Sequence, residues 1–164
     1  MPPADIKGSM KPVLLLLLLP LGFLPLQGGV INHHGGFYVT GWDADGDQLD
    51  TGRGVGGKLD YRLLGMLFVE GRVGYVDFDD ASVVPLEGSL NLKLPLPLTP
   101  YGGVGYGYYL TDGGGLENGS GVYAQLGATL ELFGVGVFAE ARLMDLEEDA
   151  LDGASVHLGL SWKF

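Results

Sequence analysis

The sequence predicts an all-β chain, an eight-stranded antiparallel up-and-down transmembrane β-barrel. Three observations carry that prediction. From residue 36 onward, apolar and polar residues alternate with a period of two, the period at which strand side chains point to opposite faces. The alternating stretches number eight, each around ten residues where complete, and an even count of that length suits a closed membrane barrel. Finally, 46% of the residues are hydrophobic although the formal net charge is −11, so oil and charge must occupy separate places.

The composition excludes several classes. The apolar content is too high for disorder, the 30 glycines follow no G-x-y period, and zero cysteines rule out a disulfide scaffold. A pI near 4.4 argues against nucleic acid, which needs clustered Lys and Arg.

Residues 1–29 read as a secretory signal peptide, and 30–164 as the barrel domain. Lys7 and Lys11 form the basic start, and Val13 to Leu24 the apolar centre with six leucines from Leu14 to Leu19. Pro20 interrupts that run, which is shorter than the ~20 residues of a membrane helix. The expected cleavage point is near 28–29.

The strands follow in order. Residues 36–42 carry Phe37 and Val39 on one face. Residues 55–63 set Val55, Leu59, Tyr61 and Leu63 against Lys58, Asp60 and Arg62. Residues 66–76 oppose Leu67, Val69, Val73 and Tyr75 to Glu70 and Arg72. Residues 82–94 set Val84, Leu86, Leu90, Leu92 and Leu94 against Glu87, Asn91 and Lys93. Residues 100–110 place Val104, Tyr106, Tyr108 and Leu110 opposite a glycine row. Residues 121–131 oppose Val122, Leu126 and Leu130 to Gln125, Thr129 and Glu131. Residues 133–144 oppose Val135, Val137 and Leu143 to Glu140 and Arg142, and 154–164 oppose Val156, Leu158, Leu160, Trp162 and Phe164 to His157 and Lys163. Three connections are short, at Leu63-Leu64-Gly65, Pro95 to Pro97 and Leu132-Phe133-Gly134; four are longer and acidic, holding 14 of the 20 acidic residues. Up-and-down topology gathers the short ones at one end. His33 and His34 precede the first strand and read as a tail.

Charge decides which face meets lipid. Eleven strand charges share the polar face: Lys58, Asp60, Arg62, Glu70, Arg72, Glu87, Lys93, Glu131, Glu140, Arg142 and Lys163. Six positive against five negative is close to balance, as a closed interior requires, because an unpaired buried charge is strongly destabilising. A water-facing surface would carry more charge, unevenly signed. Aromatics on the apolar face gather towards both ends, as bilayer interfaces select. The oily face is therefore expected outside, with a packed ionic lumen too narrow at eight strands for a wide pore. A soluble barrel with the faces reversed is the competing architecture.

The C-terminal run His157-Leu-Gly159-Leu-Ser-Trp162-Lys-Phe164 resembles the insertion signal of small eight-stranded outer-membrane β-barrels of the OmpA/OmpX type. Pro100-Tyr101-Gly-Gly-Val-Gly-Tyr106-Gly-Tyr108 resembles a strand of such porin-like proteins. The likeness covers about residues 36–164. It implies a Gram-negative-type outer membrane, outer-membrane lipid as surroundings, and barrel-assembly machinery reading His157, Gly159, Trp162 and Phe164 during biogenesis. A periplasmic peptidoglycan-binding domain of the OmpA kind is not part of that expectation.

Chemistry-bearing constellations are sparse. Asp43-Ala-Asp45-Gly-Asp47-Gln-Leu-Asp50 spaces carboxylates as calcium loops do, but Gln48 replaces the turn glycine and Gly54 the closing glutamate. Ser155, Ser161, Glu140 and His157 face inward, away from any acyl chain on the lipid side. The expectation is a monomeric, non-enzymatic barrel without catalytic residues, metal or cofactor, serving structure or surface interaction through its acidic loops. A narrow porin-like channel is the first alternative and a lipid-modifying enzyme the second.

Overall fold

In the computed structural model, residues 33–44 and 49–164 are described. The expected signal peptide, and the loop residues Asp45 and Asp47, lie outside them. Eight strands follow one another: β1 (His33–Ala44), β2 (Gly52–Leu64), β3 (Leu67–Asp77), β4 (Ala81–Lys93), β5 (Leu98–Gly113), β6 (Gly119–Leu132), β7 (Val135–Leu146) and β8 (Gly153–Lys163). Each pairs antiparallel with its neighbour, and β1 pairs with β8 to close the barrel. A short 3-10 turn, Asp149–Leu151, precedes β8.

At the loop end every strand runs beyond its alternating stretch. At the turn end Met66, Leu94, Phe133 and Gly134, expected in strands, lie outside them because the chain reverses there, and Phe164 lies just past β8. His33 and His34 are not a tail: they lie in β1, opposite Tyr61 and Asp60 of β2. Gly35 and Gly36 carry no side chains to show the alternation, yet their backbones join the ladders on both sides. At the loop end Asp43, Asp77, Asp112 and Asp145 are strand residues as well.

The oily face is outside. β7 alternates residue by residue, with Phe138, Glu140, Arg142, Met144 and Leu146 buried and Val135, Val137 and Leu143 exposed. Leu126 and Leu143 are 70% and 69% exposed, part of an outward apolar wall such as lipid covers in membrane barrels.

The turn between β6 and β7 is tight. Phe133 has φ 54° and Gly134 φ 82°, the pair of positive values that a two-residue hairpin turn needs. In β4, Pro85 has no N–H to donate, and the β3–β4 ladder skips from Val73–Leu86 to Val76–Val83.

The lumen is filled, and glycine makes the room. Tyr38 lies opposite Gly56, Tyr101 opposite Gly127, Tyr123 opposite Gly105, and Phe138 opposite Gly159. In each pair a Cβ on the glycine would overlap the facing ring. Towards the loops the filling is apolar: Trp42, Val76, Phe78, Val83, Tyr109, Tyr123, Met144, Leu146 and Leu151 form one buried cluster. Leu151, from the 3-10 turn, is wholly buried in it. Towards the turns the filling is charged.

Candidate functional site

Eight of the interior charges form a single chain of alternating sign. It begins near the turns, where Lys93 Nζ lies 3.1 Å from Asp60 Oδ2 and Lys58 Nζ lies 3.5 Å from the same oxygen. Lys58 donates to Glu70 Oε2 at 3.1 Å. Arg72 links Glu70 to Glu140, donating at 2.5 and 2.6 Å. Arg142 links Glu140 to Glu87, donating at 2.7 and 2.6 Å. Four cations therefore alternate with four carboxylates, and the balance is exact in number. Such burial is tolerable only when every charge keeps its partners.

Strand geometry explains the assembly. Glu70 and Arg72 are two residues apart on β3, and Glu140 and Arg142 likewise on β7, so each pair shares the inward face. A barrel of eight strands brings those inward faces within side-chain reach across the lumen.

Neutral groups complete the coordination. Tyr101 donates its hydroxyl to Glu140 at 2.8 Å, and Tyr109 donates to Glu87 at 3.1 Å. Gln125 donates to Asn91 Oδ1 at 2.5 Å and to Glu70 Oε1 at 3.3 Å, and Ser89 donates to Glu70 at 3.4 Å. Each cation also meets an aromatic face. Lys58 lies 4.0 Å from the Phe138 ring, Lys93 4.7 Å from Phe68, Arg142 4.5 Å from Tyr123 and Arg72 5.4 Å from Tyr38, contacts that strengthen when water is excluded.

Three of the eleven expected interior charges stand apart from this chain. Arg62, Glu131 and Lys163 are exposed at the turn end. The Arg62 guanidinium sits 5.2 Å from the Phe68 ring, and Glu131 faces His34 Nε2 at 3.4 Å. They share the phase of the inner residues but lie too close to the rim. The aromatic partners Tyr38, Tyr101, Tyr109, Tyr123 and Phe138 were absent from the expected network, although each is in phase with the polar face of its strand.

The C-terminal motif divides by face. His157 is buried, with Nε2 2.9 Å from Ser155 Oγ and 3.5 Å from Thr40 Oγ1, and its ring packs on Tyr38 at 4.9 Å. Gly159 leaves the space that the Phe138 ring enters. Trp162 and Phe164 point outward, Trp162 against Phe37 at 5.5 Å and Phe164 against His33 at 6.1 Å.

Beside Ser155 and His157 lies a cavity of about 10 Å³, also bordered by Tyr38, Thr40 and Glu87. It has room for roughly one water molecule, and none for an acyl chain. Among the described residues no group of three or more His, Asp or Glu is placed to hold a metal ion. Some loop acids serve the fold instead. Ser120 donates to Glu147 at 2.7 Å, and the Leu146 amide donates to Asp152 at 2.5 Å, which fastens the segment carrying Leu151.

The profile of the family described as outer membrane protein β-barrel domain matches residues 17–164. A comparison with curated proteins finds no match. Among solved structures, the outer membrane protein OprG from Pseudomonas aeruginosa is similar, with a TM-score of 0.62 at 16% identity over 82% of this chain and 95% of that one. Neisserial surface protein A gives 0.60 at 13% identity over 82% and 97%. Ail, the attachment invasion locus protein of Yersinia pestis, gives 0.51 at 15% identity over the same shares. At such identities the likeness is one of fold.

Proposed function

The chain belongs to the outer membrane protein β-barrel domain family, and from that premise we propose that it is a closed, non-enzymatic barrel with a structural or surface-interaction role. The observation that carries this reading is the eight-charge chain running from Lys93 to Glu87 under the apolar cluster around Leu151. Ions entering from either end meet a filled lumen. The acidic loops are then the part of the molecule offered to the exterior, and outer-membrane lipid is its main partner.

Two features support the absence of catalysis. Ser155 and His157 are hydrogen-bonded to each other beside a cavity that admits no lipid, and their neighbours Val156 and Leu158 face outward on the wall. For biogenesis, the exposed Trp162 and Phe164 are the residues of the C-terminal motif that barrel-assembly machinery can reach on the finished wall, and a monomer suffices because the barrel has no open edge.

Planar-bilayer recording of the purified protein tests the closed lumen. The expected result is a baseline without discrete steps; reproducible single-channel steps would replace this reading with the narrow channel. Incubation with phospholipid and lipid A should leave both unchanged, and turnover would establish an enzyme.

A further inference from the structure

The three short turns are apolar at the end of the barrel where water-facing turns are ordinarily polar. Leu64 and Met66, Leu94 and Leu96, and Leu132 and Phe133 are all exposed there, Phe133 completely. We propose that these turns form a foot seated in the phospholipid interface of the inner leaflet rather than in periplasmic water. The inference rests on the membrane-spanning barrel and is independent of whether the lumen is closed.

Continuity is the first argument. Leu94 and Leu132 extend the outward rows Val84, Leu86, Leu90, Leu92 and Val122, Leu126, Leu130 without a polar residue between them on that face. The foot is thus the lower edge of the lipid-facing wall.

Length is the second. Asp77 and Asp112 both lie opposite Ser82, and these charges fix the upper edge of the apolar band. From Val84, just below, to Leu94 the chain covers a rise of about 33 Å along the strand at ~3.3 Å per residue. A tilt of roughly 40° reduces this to about 25 Å, the height of the apolar band of such barrels. The hydrocarbon is therefore spanned where the turns begin, and the turn tips enter the headgroup boundary.

The third is backbone conformation. Phe133 adopts φ 54°, a value that asparagine or glycine takes more readily. A large aromatic held there with no covering side chain points to an external apolar contact.

The absence of cysteine allows a direct test. The full chain carrying Leu64→Cys, Leu96→Cys or Phe133→Cys is labelled with an environment-sensitive fluorophore. Each is then inserted into vesicles of phosphatidylethanolamine and phosphatidylglycerol. Leu126→Cys marks the lipid wall and Asp79→Cys the aqueous loops. The three turn labels should lose most of their emission to nitroxide-bearing lipid and little to aqueous iodide. Quenching by iodide to the level of Asp79→Cys would overturn the proposal. Lipid quenching that fades as protein density rises, with crosslinking between turn cysteines, would overturn it in favour of a second copy. If Leu126→Cys is also quenched only by iodide, the membrane placement itself has failed, a result distinct from water-exposed turns on an inserted barrel.

Discussion

The loop half and the turn half of the lumen are filled by opposite chemistry, although the same eight strands wall both. Near the loops, rings and aliphatic chains around Leu151 interlock with no charge among them. From the middle towards the turns, four carboxylates and four cations share one chain of ion pairs. An apolar filling loses stability in proportion to the volume removed. A charged filling depends on number, because removing one member leaves its partners buried and unpaired.

The sharpest way to break that contrast is Glu70→Ala. It deprives Lys58 and Arg72 of their shared carboxylate and should cost about 3–5 kcal/mol, measured by urea unfolding in lipid vesicles. An effect below that of an apolar truncation would reject the dependence on charge number. Leu151→Ala in the apolar half should cost about 2–4 kcal/mol, as a cavity in a packed cluster does. No change in unfolding would mean that the 3-10 turn is not part of the seal.

The wall offers a third comparison. Leu126→Arg should cost ~2–4 kcal/mol if it lies near the bilayer midplane, whereas Thr129→Arg, on the lumen side, is limited chiefly by space. Equal mild effects at both positions would reject the assignment of faces. A smaller effect is expected when charges leave in balance. Asp60→Asn combined with Lys93→Met should destabilise less than Asp60→Ala alone, since the double variant strands no cation. Smallest of all, Glu131→Ala at the rim should change stability by less than about 1 kcal/mol, because its pairing with His34 is open to solvent.

Much of the architecture was legible in the period of two, because phase alone assigns every strand residue to a wall face or a lumen face. Phase carries no height. Arg62 and Glu131 are in phase with Asp60 and Gln125, yet they lie at the rim, and only strand tilt and stagger decide that. The charges that meet across the lumen, such as Arg72 and Glu140, are 68 residues apart and leave no local signal. Lumen tyrosines such as Tyr101 and Tyr109 were visible by phase but also suit a bilayer girdle, so their type masked their position. Leu151 was illegible for another reason: it lies on a connection, where no alternation exists.

The ring-and-glycine pairs bear on how the strands find their alignment. An oily face and a polar face detect a slip of one residue, which turns every side chain over. They are blind to a slip of two. Such a slip between β7 and β8 would bring the Phe138 ring against His157 or Ser161 instead of Gly159, and one between β5 and β6 would bring Tyr101 against Gln125 or Thr129 instead of Gly127. The holes left by glycine are filled only when the alignment is right. Part of the chain's glycine content thus acts as a proofreading code, rejecting the one class of misalignment that hydrophobic patterning lets through.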